Sequence, residues 1–511
     1  MNTSQQNGTD APINRIASAC KYANTLILII LGLYFFIVPG VITAYYLSDP
    51  ALKGPGIPKI VWRTHKSITP RYETWARERI ASGVAAHLMI GDVPSTEWPI
   101  FGSVFYLWTT EALQKEWEKN PELSSAAPKA YAKATIDAAR DVVLDKVHHT
   151  WVQQHWGTNY LHTQNVFFRS LLMAGILSHH NLTGDQSNLA LLKDQADTLS
   201  AILDESPFGI LEDYPGECYP IDVLASIAII SKTDKALGTD HSSFLKKSVR
   251  AFDGNRLDEL GLVPFLADSV TGEIYTGSRG TGNSYISIFA PELYPQKAGK
   301  WYELYEKHFW QESMGAAGFR EFPRGTPDKE WGFDIDAGPI IAGFSPAANA
   351  YGVAAARVNG RFDHAYTLGS QVIMATWPLP DGTLLGPRLL SSGFHAPYLG
   401  EANLMYLLVQ QPAEGVEIRT GGRLPWFVWG CFAFYFGVGL LIALAAIREL
   451  RRWNRTVEHI PFAAFQVAAW SIVFVAAVIL AVLGNWLVAM LCLVVSQIFP
   501  HALGRKPEPS P

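Results

Sequence analysis

The 511-residue sequence predicts an all-α protein: an (α/α)6 barrel, that is a toroid of helical hairpins, with one N-terminal and about three C-terminal transmembrane helices. Three observations carry this expectation. Charged residues make up only 17% of the chain, against roughly 25% in a typical soluble domain. The deficit sits in long uncharged runs at both ends. Between them, amphipathic stretches alternate with loops holding Gly, Pro and Asp, and few stretches alternate with period two.

In chain order, a tail at 1–23 precedes a first membrane span at 24–47, where Tyr22 to Ser48 carries no charge. About 20 apolar residues cross a bilayer. The segment 50–420 is the expected barrel, with helices near 73–90, 97–118, 127–147, 163–181, 187–204, 221–236, 241–252, 283–293, 298–313, 338–358, 362–376 and 396–410. Val104, Leu107, Trp108 and Leu113 recur at helical spacing, and Ser95-Thr96-Glu97 reads as a helix start. The segment 425–503 holds further spans near 425–447, 461–482 and 486–503, and a tail at 504–511 ends the chain. Arg448, Arg451, Arg452 and Arg455, with Arg505 and Lys506 after the last span, mark the cytoplasmic side. An integral membrane protein with 50–420 on the non-cytoplasmic side, periplasm or ER lumen, is therefore expected.

Several function classes are excluded early. A net charge of −5 without a polybasic run leaves no footprint for nucleic acid. Four cysteines make no disulfide scaffold, and 16 Trp, 20 Tyr and 26 Phe exclude a disordered chain. His148, His149, His155 and His162 match no paired metal-ligand spacing and read as surface or loop histidines. Arg279–Gly282 lacks the Lys-Ser/Thr of a phosphate loop, and no GxSxG elbow surrounds Ser391-Ser392.

The candidate chemistry lies in loops that enter helices. Glu212 to Asp222 packs four carboxylates and Cys218, the lone cysteine of the soluble segment, into eleven residues. Pro220 suits the first helical position, which places Asp222 in the first turn and Tyr219 at the cap. Trp331 to Pro339 sets Asp334 and Asp336 among apolar Phe333 and Ile335, and desolvation there would raise a carboxyl pKa as a general acid needs. Helix capping is the plainer use of the same acids. Asp92 with His87 ends the first helix, and further entries carry Tyr285, Tyr398 and Glu401. The expected catalytic set is Asp92, Cys218, Asp222, Asp334 and Asp336. His87, His162, Tyr219, Tyr285, Phe333, Tyr398 and Glu401 are the expected substrate-binding set.

Asn165-Val166-Phe167-Phe168-Arg169 through Leu182-Thr183-Gly184-Asp185 resembles a helix of the linalool dehydratase/isomerase family. So do Pro207-Phe208-Gly209-Ile210 with the acidic cysteine loop and the helix ending Gly238-Thr239-Asp240, and the Asp334–Gly338 turn with Gly343-Phe344-Ser345. Together these cover 200 to 250 residues. The resemblance implies an (α/α)6 barrel, often oligomeric, with no metal or organic cofactor and an apolar cavity for an isoprenoid alcohol. Its chemistry would be protonation and loss of an allylic hydroxyl. Asp92 is the match for the family's aspartate after the first barrel helix. Cys218 matches a family cysteine by motif, although a gapless count back from Gly238 places Asp222 there. The chain departs at Asp213, where the family has its other cysteine, and at Leu171, where it has histidine.

The expectation is a membrane-bound, cofactor-independent lyase or isomerase, cyclases included, acting on an isoprenoid-like allylic alcohol or alkene. Its partners would be that small apolar substrate and membrane lipid, with no nucleic acid and with room for a homo-oligomer. A glycan-active (α/α)6 enzyme, glycosidase or epimerase, is the alternative reading, and a non-catalytic membrane scaffold is the third.

Overall fold

The computed structural model describes residues 25–453 and 463–482, with 19, 22–23, 488–489, 491–493 and 495–496. The chain forms two compact units, Ile42–Cys431 and a second made of Met1–Val41 with Phe432–Pro511. Among the described residues, two helices are long and apolar enough to cross a membrane, Thr25–Leu47 and Trp426–Arg448. A third helix, Ala463–Val482, carries a shorter apolar stretch, Val467–Leu480. Most of the expected span at 486–503 lies outside the described residues, as do Arg455, Arg505 and Lys506. Arg448, Arg451 and Arg452 continue the helix Trp426–Trp453 and so do not form the loop expected there.

The unit Ile42–Cys431 is mostly helical. Its principal helices are α1 Lys59–Ser82, α2 Trp98–Lys119, α3 Lys133–Leu144, α4 Val166–Thr183, α5 Leu189–Glu205 and α6 Pro220–Leu237. They continue as α7 Gly280–Leu293, α8 Pro295–Phe309, α9 Pro346–Val358, α10 Phe362–Ala375 and α11 Leu399–Val409. Local chemistry punctuates them. Proline opens α2, α6, α8 and α9, where its missing N–H costs nothing. Ser345 caps α9 by accepting the Ala348 N–H at 3.2 Å. Left-handed glycines at 83, 184 and 238 close α1, α4 and α6.

Burial sorts these helices into two kinds. Every residue of α7 from Gly280 to Pro291 is buried, as befits a helix with protein on all sides. In α8 the buried residues are Ala298, Trp301, Tyr302, Tyr305 and Phe309, a single stripe at helical spacing. The enclosed helices pack in sequence, α2 on α4, α4 on α6, α6 on α7, α7 on α9 and α9 on α11, and α11 returns to α2. Striped helices cover them: α3 lies on α2 and α4, α5 on α4 and α6, α8 on α7 and α10 on α9. Successive enclosed helices are separated by a returning segment, so their N-termini share one end. Gly280 opens α7 so close to the neighbouring chain that a Cβ there would overlap the carbonyl oxygen of Arg320.

Three antiparallel strand pairs interrupt the helical pattern: β1 Leu266–Ala267 with β2 Ile274–Thr276, β3 Trp310–Ser313 with β4 Ala316–Phe319, and β5 Trp331–Asp334 with β6 Gly338–Ile341. The last pair corrects the expected helix start at 338. Gly338 has φ +76° and Pro339 donates no N–H, while Trp331 and Phe333 favour an extended chain. The helix instead begins at Pro346.

Candidate functional site

The N-terminal ends of the enclosed helices gather carboxylates. Glu97 precedes α2 and is only 8% exposed. Burial pushes its pKa well above the ordinary carboxylate value, and Asp336, Asp222 and Glu217 add to the rise. Asp222, in the first turn of α6, is pushed up to about 8 by burial and then by Asp336. Asp336, in the β5–β6 turn, is raised by the protein around it and by Asp334, with Arg279 offsetting part of the effect. These mutual influences link α2, α6 and the β5–β6 hairpin across one end of the unit. Among the described residues, no hydrogen-bond donor reaches the carboxyl groups of Glu97, Asp222 or Asp336.

Asp213 is the fourth member. Its oxygens accept the Phe167 N–H at 2.8 Å and the Tyr219 N–H at 3.2 Å, tying the loop to the starts of α4 and α6. Burial and the Asp222 charge raise its pKa, and the two N–H groups pull it down. Asp213 and Asp222 therefore titrate as a pair, and burial favours keeping a proton within it. Tyrosines close the site. Tyr285 of α7 and Tyr351 of α9 meet edge to face at 5.4 Å, and burial together with Asp222 raises the pKa of both. Further along the helices, Tyr406 stacks on Phe105 at 4.7 Å and on Trp108 at 4.9 Å. Trp108, Phe289 and Tyr406 also line a cavity of about 1150 Å³ formed by the C-terminal ends of the same helices. The aromatic layer thus stands between that cavity and the acids.

Asp334 departs from expectation. It pairs with Arg279 at 3.0 Å and accepts the Asp336 and Ala337 N–H groups at 2.9 and 3.0 Å. Burial works against its charge, yet Arg279 and these donors hold its pKa below the usual value. It is an ionised turn cap, and its lowered pKa is the opposite of the rise expected from its apolar neighbours. Arg279 also donates to Glu321 at 2.7 Å, and Glu321 accepts the Thr281 and Ser345 hydroxyls, each at 2.7 Å. That fully buried carboxylate therefore pins α7 to α9.

Other expected site residues lie apart from this cluster or serve it differently. Asp92 caps the short helix Val93–Thr96 through the Ser95 N–H at 3.2 Å. The acid that enters the site from that loop is Glu97. His87 is exposed, and exposed His162 pairs with Asp194 of α5 at 3.1 Å. Glu401 spends its oxygens on Arg388, at 2.7 and 3.0 Å, and on the Leu384 N–H at 3.1 Å. Tyr398 lies under the Arg388 guanidinium and against Tyr72 and Trp75 of α1. Phe333 is exposed. Tyr219 donates to Glu217 at 2.9 Å beside Asp213. Cys218 is buried in a strand-like bridge to Ala267, and burial with Asp213 and Glu212 nearby pushes its thiol pKa up. It is a neutral thiol. His148 and His149 are buried rather than superficial, and His149 bonds the Val143 carbonyl and the Tyr160 hydroxyl.

Glu97, Tyr351 and the Arg279–Glu321 pair were not singled out by the sequence as site residues. For Glu97 the signal was present: an acid set directly before Trp-Pro and an uncharged run that continues to Thr110. No family model matches this chain, and no curated protein does.

Proposed function

We propose that Ile42–Cys431 is an (α/α)6 barrel that performs acid–base chemistry on an isoprenoid-like allylic alcohol or alkene, as a membrane-bound lyase or isomerase. The observation that carries this reading is the cluster of carboxyls at the N-terminal ends of the enclosed helices, where half-buried Asp222 draws no donor among the described residues and desolvation with the nearby Asp336 pushes its pKa up to about 8. A carboxylic acid held neutral by its surroundings is a general acid of suitable strength. Asp222 would protonate the leaving hydroxyl or the alkene. The faces of Tyr285 and Tyr351 would stabilise the developing cation. Asp213 or Asp336 would take up the proton released at the end, so the cycle needs no external redox partner.

In this reading the two apolar helices would anchor the barrel, and Arg448, Arg451 and Arg452 favour its exposure on the non-cytoplasmic side. The test is turnover. Full-length protein in detergent is supplied with allylic alcohols of ten to fifteen carbons, and products are separated by gas chromatography with mass detection. Dehydrated or isomerised product from the native protein and none from Asp222→Asn supports the proposal. Equal product from both sinks it, and release of sugar from glycan substrates instead would favour the glycan-active alternative.

A further inference from the structure

The β5–β6 hairpin is built inside out. In an antiparallel pair, directly opposed residues point to the same face. The register sets Trp331 opposite Ile341 and Phe333 opposite Pro339. That face is apolar and outward: Trp331 is 65% exposed, Phe333 69% and Ile341 53%. The other face carries buried Ile340 and Asp334, and Asp334 is held inward by Arg279. A hairpin on a water-facing surface ordinarily shows the opposite alternation, apolar in and polar out.

Its neighbours say what meets that face. The hairpin lies beside β3–β4, joined by Gln311 donating to the Ala342 carbonyl at 2.8 Å, by the Glu321 N–H to the Gly343 carbonyl at 2.9 Å and by the Arg320–Glu330 ion pair. The β3–β4 turn, with exposed Met314, in turn receives the Phe427 N–H on the Gly315 carbonyl at 2.8 Å. Phe427 follows Trp426, the first residue of an apolar helix long enough to cross a membrane. Trp426 is itself 79% exposed. Tryptophan at the start of such a helix belongs at the level of the lipid headgroups. The two hairpins are thus fastened to the first turn of that apolar helix.

We propose that the outer face of β5–β6, formed by Trp331, Phe333, Pro339 and Ile341, seats in the interfacial layer of the membrane that holds the Trp426 helix. Trp and Phe are suited to that layer, where their rings meet both acyl chains and headgroups. The hairpin then has one face in lipid while its turn presents Asp336 to the carboxylate cluster. An apolar substrate leaving the bilayer along this hairpin reaches the acids without crossing water. That delivery rests on the proposed acid–base function, whereas the lipid contact does not.

The test reads the contact itself. Phe333 is replaced by p-benzoylphenylalanine in the full-length protein, which is reconstituted in phospholipid nanodiscs and irradiated. Peptides are then examined by mass spectrometry. The expected result is phospholipid attached at position 333, with at most a tenth of that yield from the same residue placed at Glu118 beside the 1150 Å³ cavity. Attachment to a second copy of the chain would overturn the proposal in favour of a dimer face. Absence of any adduct, or equal lipid yield at both positions, would overturn it as well. If the Phe333 variant does not fold, Trp331 carries the same photoreactive residue with the same expected outcomes. Because no substrate is involved, lipid attachment stands or falls separately from turnover.

Discussion

Asp222→Asn exchanges a carboxyl for a neutral group of the same shape, so it isolates the cost of charge at this position. The folded-state pKa of about 8 stands some four pH units above the ordinary aspartate value of 3.8. At about 1.4 kcal/mol per unit, the ceiling on that cost is about 6 kcal/mol. The sign follows from linkage. The folded state binds more protons than the unfolded state between the two pKa values, so the native protein loses stability as pH rises from about 4 through 8. Below pH 4 both states are protonated and the substitution changes little. Above pH 8 the variant escapes the full cost. Because Asp213, Glu97 and Asp336 titrate with Asp222, the visible gain is smaller, about 2–3 kcal/mol at pH 9. Thermal unfolding in detergent, followed by tryptophan fluorescence from pH 5 to 9.5, reads it directly. The expected separation of the midpoints is smallest at pH 5 and widest at pH 9, with the variant higher there by about 2–4 °C. Parallel curves, or a variant that is less stable at pH 9, would refute the assignment of a desolvated proton to Asp222.

Glu97→Gln is expected to keep the fold and to lower kcat at least tenfold with KM nearly unchanged, since its buried carboxyl has no structural bond to lose; an unchanged kcat would remove it from the proton-exchanging set. Arg279→Met leaves Glu321 buried beside two hydroxyls and frees Asp334, so unfolding should become easier by about 3–5 kcal/mol. A thermal midpoint within 1 °C of the native value would show that the Arg279–Glu321 pair does not hold α7 to α9. Cys218 should resist iodoacetamide at pH 8.5 in the folded protein and react fully in denaturant, as peptide mapping would show. Rapid labelling of the native thiol would contradict its burial and raised pKa.

Helix positions were legible because their signals are local. The stretches expected at 97–118, 187–204 and 362–376 appear as Trp98–Lys119, Leu189–Glu205 and Phe362–Ala375, since the apolar period that marks each lies within the helix itself. The β5–β6 hairpin was not legible, because its outward apolar face breaks the rule by which strands are recognised. Acid partners were harder still. Glu401 looks like Asp222 in sequence, each in the first turn of an enclosed helix, yet Arg388 lies thirteen residues before Glu401 and neutralises it. Among the described residues, no basic side chain pairs with Asp222. Asp92 and Glu97 are five residues apart, and only the path of the short helix between them decides which one faces the cluster. Such choices depend on how separate elements meet in space, which periodicity does not record.

The carboxylates at this end divide by what they bond. A helix N-terminus offers free N–H groups and partial positive charge, worth about 0.3–1 kcal/mol to an anion and about 2 kcal/mol in favourable buried geometry. Glu321 uses such a donor, the Thr281 N–H, and Asp334 uses the N–H groups of its own turn, both together with Arg279, and they hold the hairpin, α7 and α9 in place. Glu97 and Asp222 sit at comparable helix starts but draw no donor, so desolvation and the neighbouring charges exceed anything the helix supplies. Two kcal/mol amounts to less than two pH units, whereas Asp222 is displaced by about four in the opposite direction. The same stretch of backbone therefore supports fixed anions that shape the site and neutral acids that can give up a proton inside it. Removing the donors from one group or supplying them to the other would exchange the two roles. Arg279 is the residue on which the division turns, because its guanidinium bonds Asp334 while lowering the pKa of Asp336, two residues away, only in part.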